Sequence, residues 1–319
     1  MPLLESDTRV ADAPEPLTDT PQHRKGTPLL ILETMRPKQW SKNAFVFAGL
    51  LFSGTMFDAD KVLAAIMAVV AFCLVSGATY LLNDAVDAES DRHNPRTANR
   101  PIARGDLSQR LALVAAALAA VAGIALTALI NWQTLLVLLG YVVLQLGYSN
   151  YLKHVLFVDV MAIAAGFVLR AAAGGVAVEV PISSWLLLCT GLLAVFLGFT
   201  KRRGEAVALG GGAQPKRRVL ESYSVGLLDE LIAVVTPTTV VAYALYAVTG
   251  AATDWMLLTV PFVMYGIFRV LFLIHHRTGS TDEPAVIVWR DRPLLACVVA
   301  WGVCAAAIAA LSSSASPLS

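Results

Sequence analysis

Three aspartates at regular spacing form the strongest candidate for a catalytic centre. Asp84, Asp87 and Asp91 follow one another after three and then four residues, which on a helix places them along one stripe. Their mutual repulsion is relieved if a cation lies between them. Mg²⁺ is the natural candidate because it binds through one or two carboxylates plus substrate phosphates. The alternative is a solvated acidic helix end, which the helix dipole disfavours at a C-terminus.

Arginines follow this acidic stripe directly. The segment 92–105 carries Arg92, Arg96, Arg100 and Arg104 among small and polar residues. Arginine suits multidentate recognition of phosphate, so an acidic metal site beside this cluster would fit a magnesium-bound diphosphate group. The alternative is that the arginines only mark the cytoplasmic side of a membrane.

Several of these residues form motifs typical of a known superfamily. The pattern Asn83-Asp84-x-x-Asp87-x-x-x-Asp91, followed by Arg96-Thr97-Ala98-Asn99-Arg100-Pro101, resembles the first aspartate-rich motif of the UbiA-type intramembrane prenyltransferases. Arg36-Pro37-Lys38-Gln39-Trp40 is similar to their N-terminal amphipathic entry, and Tyr148-Ser149-x-x-Leu152-Lys153 to their Tyr/Lys segment. The resemblance runs from about residue 33 to the end. It implies an all-α polytopic membrane protein of nine transmembrane helices around a central cavity, open to the cytoplasm and laterally to lipid.

One segment departs from the usual pattern of that superfamily. Aromatic prenyltransferases carry a second aspartate-rich motif between helices 6 and 7, whereas this chain has Lys201-Arg202-Arg203-Gly204-Glu205. The cations resemble those of the decaprenyl-phosphate phosphoribosyltransferase branch. That branch transfers 5-phosphoribosyl from 5-phosphoribosyl 1-diphosphate to a polyprenyl phosphate for cell-wall arabinan precursors. Two phosphate-bearing substrates would account for the extra cations.

The resemblance and the residue chemistry together assign a role to each candidate. Asp84, Asp87 and Asp91 are the expected Mg²⁺ ligands, with Asn83 as an adjacent polar ligand, and these aspartates, Lys201 and Glu205 form the expected catalytic set. The phosphate binders are expected to be Lys38, Arg96, Arg100, Lys153, Lys201 and Arg202. Asp159 and Glu205 are candidates for the ribose hydroxyls, and Tyr148 is a further substrate-binding candidate.

Charges inside apolar runs are functional candidates by default because they are costly in a membrane. Asp159 and Arg269 each lie about one turn from a cytoplasmic helix end and can face one cavity. For Asp159 the alternative is a buried partner for a nearby cation such as Lys153. Arg170 lies eleven residues beyond Asp159, so we interpret it as structural, extending toward the outer interface.

The composition indicates the elements that must position these residues. Hydrophobic residues make up 57% of the 319 residues and charged residues only 15%, against roughly 25% charge in an average soluble domain. Apolar runs long enough to cross a bilayer occupy 62–82, 111–152 (two helices split at Asn131-Trp132-Gln133), 155–173, 180–200, 231–253, 255–274 and 293–319. A shorter run at 44–54, lengthened by its flanks, completes nine predicted helices.

Lys and Arg fall in alternate connections, which predicts the orientation. Basic residues flank the first helix and follow helices 2, 4, 6 and 8, whereas connections such as 174–184 carry none. The N-terminus and the site are therefore expected on the cytoplasmic side of the plasma membrane and the C-terminus outside. Residues 1–28 are polar and predicted to be disordered, and 29–319 form one transmembrane domain. A net charge of +1 suggests no nucleic-acid partner.

Two other functions compete with phosphoribosyl transfer. An aromatic polyprenyltransferase would share the fold but lacks its second acidic motif here. A transporter would accommodate intramembrane charges, yet the chain shows no inverted repeat with paired broken helices. The expected partners are phosphoribosyl diphosphate, polyprenyl phosphate and membrane lipid, and a homo-oligomer is left open.

Overall fold

The computed structural model describes residues 26–95, 97–210, 218–251, 253–276, 287–288 and 290–314, and within these ranges the chain is helical without strands. In chain order the α-helices are α1 (Thr27–Thr34), α2 (Ala48–Phe52), α3 (Ala59–Val86), α4 (Ala88–Arg92), α5 (Gln109–Ile130), α6 (Trp132–Asn150), α7 (Val158–Ala177), α8 (Ser184–Gly210), α9 (Val225–Leu245), α10 (Val260–His276) and α11 (Arg292–Ser314). The 3₁₀ segments are Pro37–Phe47, Leu152–His154, Arg218–Ser222 and Asp254–Thr259, and a π turn, Tyr246–Gly250, extends α9.

Side-chain caps begin several long helices at the positions where the apolar runs start. Asp58 accepts hydrogen bonds from two backbone N–H groups of α3, and Ser108 from the Leu111 N–H of α5. Asn131 separates α5 from α6 and caps α6 through the Thr134 N–H. Each cap satisfies a donor that has no partner within its helix. The split predicted at Asn131-Trp132-Gln133 is thus confirmed.

Eight helices among the described residues are long and apolar enough to cross a membrane, and the predicted uninterrupted first span is not one of them. The chain instead runs through α1, the 3₁₀ segment Pro37–Phe47 and the short α2. A left-handed residue, Arg36 (φ 56°), with Pro37 after it, ends the first part. The apolar run at 44–54 is too short to override these breaks.

Small residues let the broken first segment approach the bundle closely. Gly49 of α2 faces the backbone of Gly174 and Gly175 in α7, leaving no room for a side chain at this contact. Gly123 of α5 packs on α3 in the same way, against Ala71 and Val75. Such contacts are the usual basis of helix association in lipid, where the hydrophobic effect between helices is weak. The Gly49 contact helps to fix the position of the segment that carries Arg36 and Lys42.

The helices surround a cavity of about 1970 Å³. At one end, where α3 and α6 terminate, its wall is polar and includes Asn83, Asp84 and Ser149. Toward the other end the wall becomes apolar and aromatic, with Phe52 and Trp301 among its residues. One chamber thus joins a charged end, called here the site end, to an apolar interior.

Candidate active site

Asp84 lies at the centre of the charged cluster at the site end. It is buried near the end of α3, and its Oδ1 accepts a hydrogen bond from Arg36 at 2.7 Å and lies 3.0 Å from Nη1 of Arg100. The Arg36 guanidinium also lies over the Tyr80 ring, 4.7 Å from its centroid. The same Nη1 of Arg100 donates to Oδ2 of Asp91 at 2.6 Å. Two guanidiniums therefore hold Asp84, and one of them joins it to Asp91.

The predicted acidic stripe bends at its middle residue. Asp87 is the C-cap of α3, exposed and on the cavity wall, and Asp91 lies on the separate helix α4. No three carboxylate, imidazole or thiolate groups meet as a complete metal site in the described part of the chain. The three-aspartate Mg²⁺ site accordingly stays a prediction, with Asp91 contributing through Arg100.

The oxygen atoms on the cavity wall nevertheless suit a metal–diphosphate group. Asp84 and Asp87 offer carboxylate oxygens, and Asn83 donates from its amide nitrogen to Ser149 at 3.2 Å, which leaves the amide oxygen for a cation. Mg²⁺ commonly takes only one or two protein carboxylates and completes its shell with water and substrate phosphates. Arg36 and Arg100 lie beside these oxygen atoms, and guanidinium groups are suited to binding phosphate.

Further cations project into the cavity from other elements. Lys153 lies in the 3₁₀ turn after α6 and Lys201 in α8, and both line the cavity with Tyr148. Lys42 lines it from the 3₁₀ segment. The structure thus brings Asn83, Asp84, Asp87, Arg100, Tyr148, Lys153 and Lys201 of the predicted set to one chamber. Lys38, by contrast, is exposed and outside the cavity lining, and Arg96 lies outside the described residues.

Arg202 belongs to a separate buried cluster. Its side chain is 1% exposed and donates to Asp159 and Glu205 at 2.6 Å each. It also donates to the Tyr148 hydroxyl at 3.4 Å. The predicted loop containing Arg202 is in fact the last part of α8, where successive side chains point about 100° apart. Lys201 therefore faces the cavity while Arg202 faces α7.

Asp159 finds its counter-ion in Arg202, and not in the nearby Lys153 that sequence reasoning considered. Tyr223, in the connection before α9, donates to Asp159 at 2.8 Å and accepts the backbone N–H of Phe157 at 2.9 Å. Burial and the hydrogen bond to the carboxylate raise the pKa of Tyr223 above its ordinary value, because only the neutral phenol donates. Asp159 and Glu205 are thus engaged with protein groups, and the expectation that they hold ribose hydroxyls stays a prediction.

Arg170 departs from the expected course toward the outer interface. It is buried, lines the cavity, and donates to Asn43, Gly166 and Tyr141. The interpretation as a snorkelling residue is wrong, because neutral acceptors inside the bundle hold the guanidinium.

Arg269 was expected to face the cavity, but it forms a bidentate pair with Asp291. The two contacts measure 3.0 and 2.9 Å, and Asp291 also accepts the Leu294 N–H at the start of α11. This pair ties α10 to α11.

Two cations and a polar side chain at the site were not predicted from the sequence. Arg36 was part of the quoted motif Arg36-Pro37-Lys38-Gln39-Trp40, but Lys38 was chosen from it as the binder. Lys42 lies four residues beyond Lys38, and Ser149 adjoins Tyr148. The broken backbone at Arg36 decides which of these side chains face the cavity, and no apolar periodicity reports such a break.

Comparison with known proteins adds evolutionary evidence to this geometry. The model of the UbiA prenyltransferase family matches residues 43–291. A decaprenyl-phosphate phosphoribosyltransferase of Mycolicibacterium smegmatis is 33% identical over 292 residues, 87% of this chain and 92% of the relative. Its namesake from Mycobacterium tuberculosis is 32% identical over 277 residues, 85% of this chain and 91% of the relative. A structure of a UbiA homologue from Archaeoglobus fulgidus bound to GPP and Mg²⁺ superposes with a TM-score of 0.66 at 18% identity, covering 89% of this chain and 98% of that one.

Proposed function

The chain belongs to the UbiA prenyltransferase family, and from this premise we propose that it transfers 5-phosphoribosyl from 5-phosphoribosyl 1-diphosphate to a polyprenyl phosphate such as decaprenyl phosphate. The observation that carries the proposal is the 33% identity, over nearly the whole of both chains, to a relative named for this activity. The chemistry of the cavity wall is consistent with it.

The two substrates would occupy different parts of one chamber. The apolar interior suits a polyprenyl chain, which would enter from the surrounding lipid. The site end offers Arg36, Arg100, Lys153 and Lys201 for phosphate groups. A single chamber of about 1970 Å³ therefore brings the lipid phosphate and the sugar donor together.

The reaction is a substitution at the anomeric carbon. An oxygen of the lipid phosphate forms a bond to C1 of the ribose as the bond from C1 to the diphosphate breaks, and the bonding electrons leave with the diphosphate. A phosphate monoester is already ionised near neutral pH, so the step needs no strong general base. The barrier is lowered by positioning and by stabilising the charge on the leaving group.

The residues divide this work among them. Asp84 and Asp87, with the Asn83 amide oxygen, would hold Mg²⁺, which when bound neutralises the diphosphate. Arg36 and Arg100 bind the diphosphate oxygens, and Arg100 also keeps Asp91 in the network. Lys201 and Lys153 hold phosphate oxygens from the other side of the cavity.

Arg202, Asp159 and Glu205 act through their neighbours, because the structure encloses them. Arg202 reaches Tyr148 from the buried side, while Tyr148 itself lines the cavity. The cluster would fix Tyr148 and the end of α8, and through it Lys201, against α7.

The membrane placement follows from the same proposal. The site end and the N-terminus would face the cytoplasm, because Lys and Arg are concentrated in the connections on that side, and the C-terminus would lie outside the plasma membrane. The product would supply cell-wall arabinan synthesis.

A substrate competition tests the proposal against its alternatives. Purified protein receives phosphoribosyl diphosphate with polyprenyl phosphate, or polyprenyl diphosphate with an aromatic acceptor, and diphosphate release is measured with Mg²⁺ in detergent. We expect release only from the first pair. Release from the second pair alone would indicate an aromatic prenyltransferase, and no release from either would favour a transporter.

A further inference from the structure

We propose that Arg170 recognises the 5-phosphate of the sugar donor at the inner end of the polar part of the cavity. This inference rests on the proposed function and adds the residue that selects a phosphorylated ribose.

The first observation is a buried positive charge that only neutral groups contact. Arg170 lies within α7 and is 6% exposed. Its guanidinium donates to the Asn43 side-chain oxygen at 2.8 Å, the Gly166 carbonyl at 2.9 Å and the Tyr141 hydroxyl at 2.7 Å. No carboxylate of the described residues lies within ion-pair distance of it. A charge without a counter-ion is costly inside a membrane and marks a functional site.

The second observation is that the Arg170 guanidinium still has N–H groups available for hydrogen bonds to a ligand. Arginine has five N–H donors, and the three protein contacts of Arg170 come from Nε, Nη1 and Nη2. One donor on each Nη atom remains for another acceptor. Because Arg170 is part of the cavity wall, a ligand in the cavity can reach it, and two free N–H groups on one guanidinium can bind the oxygens of a phosphate.

The third observation is the depth of Arg170 in the cavity, measured from Asp84. Asn43, which holds Arg170, donates weakly to Ser76 at 3.5 Å, and Ser76 lies eight residues before Asp84 on α3. Eight helical residues span about 12 Å. In phosphoribosyl diphosphate nine bonds separate the terminal phosphorus of the diphosphate from the 5-phosphorus, an extended reach of about 11 Å for bonds of about 1.5 Å. An extended phosphoribosyl diphosphate with its diphosphate at Asp84 is therefore long enough to bring its 5-phosphate near Arg170.

The surroundings orient the guanidinium and reduce its mobility. It stacks over the Tyr141 ring at 4.6 Å and lies 5.4 Å from the Phe167 centroid. The Tyr141 hydroxyl is also held by Gln145 at 2.6 Å, and Gln145 lines the cavity. A pre-positioned cation loses less entropy on binding a ligand.

The test measures discrimination between two donors. We compare kcat/KM for phosphoribosyl diphosphate with that for ribose 1-diphosphate, which lacks the 5-phosphate, in the wild type and in Arg170→Gln. The wild type should prefer the phosphorylated donor, and the variant should lose about 30-fold or more of that preference. A purely structural role would lower both values together and leave their ratio unchanged, which would overturn the proposal.

Two further measurements separate the competing explanations. Tyr141→Phe removes a hydroxyl that orients Arg170 but keeps the charge, so it should lose part of the preference for the phosphorylated donor, and less than Arg170→Gln loses; a loss as large as that of Arg170→Gln would contradict a direct contact between Arg170 and the 5-phosphate. The KM for polyprenyl phosphate should not change in Arg170→Gln, and a rise confined to it would assign Arg170 to the lipid phosphate instead.

A second variant keeps the proposal testable if Arg170→Gln does not fold. Arg170→Lys retains the charge but cannot hold three neutral acceptors and a phosphate together, so the preference should fall about tenfold. An unchanged preference in this variant would contradict the assignment. Failure of the wild type to use phosphoribosyl diphosphate would refute the proposed function itself, whereas an unchanged ratio with an active wild type refutes only the role of Arg170.

Discussion

One carboxylate oxygen of Asp84 contacts both Arg36 and Arg100, and this arrangement determines what the site can bind. In the structure Asp84 and Asp91 balance the charges of Arg36 and Arg100. A diphosphate with its cation offers new partners to both kinds of group, since the cation attracts the carboxylates and the phosphate oxygens attract the guanidiniums. We therefore expect the carboxylates to be essential for binding as well as for turnover.

Asp84→Asn should lower kcat with phosphoribosyl diphosphate by about 100-fold or more. The amide keeps the shape of the side chain but loses the charge that attracts a cation, and metal-based charge stabilisation contributes several kcal/mol. Asp106→Asn is the matched control because Asp106 is exposed and pairs with Arg104 in the connection before α5. Steady-state kinetics at several Mg²⁺ concentrations measures both variants. Near-normal activity of Asp84→Asn would show that the acidic stripe does not bind the metal.

Lys201→Ala should raise the KM for the sugar donor by about tenfold, which corresponds to loss of one charged hydrogen bond. The KM for the lipid should change less, because Lys201 lies toward the polar end of the cavity. Lys61→Ala provides the control, since Lys61 begins α3 at the opposite end of the bundle. An effect on the lipid KM alone would refute this placement of Lys201.

At the scale of elements, two adjacent residues of α8 have different roles: one faces the cavity and the other holds α8 against α7. Its last turns carry Lys201 on the cavity side and Arg202 on the side of α7. Burying two carboxylates around one guanidinium stabilises the protein only while all three groups are present. The cluster thus couples the shape of the site to the packing of α7 and α8.

Arg202→Met should destabilise the protein by about 3–5 kcal/mol, because Asp159 and Glu205 would remain buried without their counter-ion. Arg104→Met is the control. Arg104 pairs with Asp106, and both side chains are exposed, so its loss should cost about 1 kcal/mol or less. Thermal unfolding in detergent compares the two. Equal losses of Tm would show that the buried cluster does not hold the helices together.

Tyr223→Phe should change how stability depends on pH. Because the pKa of Tyr223 is raised in the folded protein, its contribution is complete below the ordinary tyrosine pKa of about 10 and is lost as the pH rises above that value. We expect wild-type Tm to fall above about pH 10 more steeply than that of the variant. At neutral pH the variant should be less stable by about 1–3 kcal/mol. Parallel curves for the two proteins would contradict the buried donor.

The positions of the helices were easier to predict from the sequence than the orientation of their side chains. Long apolar runs predicted the eight helices that, among the described residues, are long and apolar enough to cross a membrane, and also the break at Asn131. The prediction of a continuous first spanning helix was wrong, because left-handed Arg36 and a 3₁₀ segment interrupt it. Arg202 was predicted to bind phosphate because the sequence alone does not distinguish it from its neighbour Lys201. In α8, however, Lys201 faces the cavity and Arg202 is buried against α7.

At the scale of the whole molecule, the described residues form eight helices long and apolar enough to cross a membrane, and these helices and the broken first segment surround a chamber. Its charged site end and apolar interior match substrates that meet at a membrane surface. We therefore expect the site end to lie on the cytoplasmic side, where the donor is dissolved.

Fusion reporters at the two termini test this orientation. A cytoplasmically active fluorescent protein should fold at the N-terminus, and an enzyme that requires export should be active only at the C-terminus. An active exported reporter at the N-terminus would reverse the assignment.

The most direct measurement follows three labels of the donor into the products. Phosphoribosyl diphosphate labelled in the ribose carbons, in the 5-phosphate or in the β-phosphate is incubated with the purified protein, polyprenyl phosphate and Mg²⁺, and the lipid is extracted. Transfer of an intact phosphoribosyl group predicts equal molar incorporation of the ribose and 5-phosphate labels into the lipid, with the β-phosphate label entirely in the aqueous diphosphate. Lipid that gains no ribose label, or ribose without its 5-phosphate, would contradict the account.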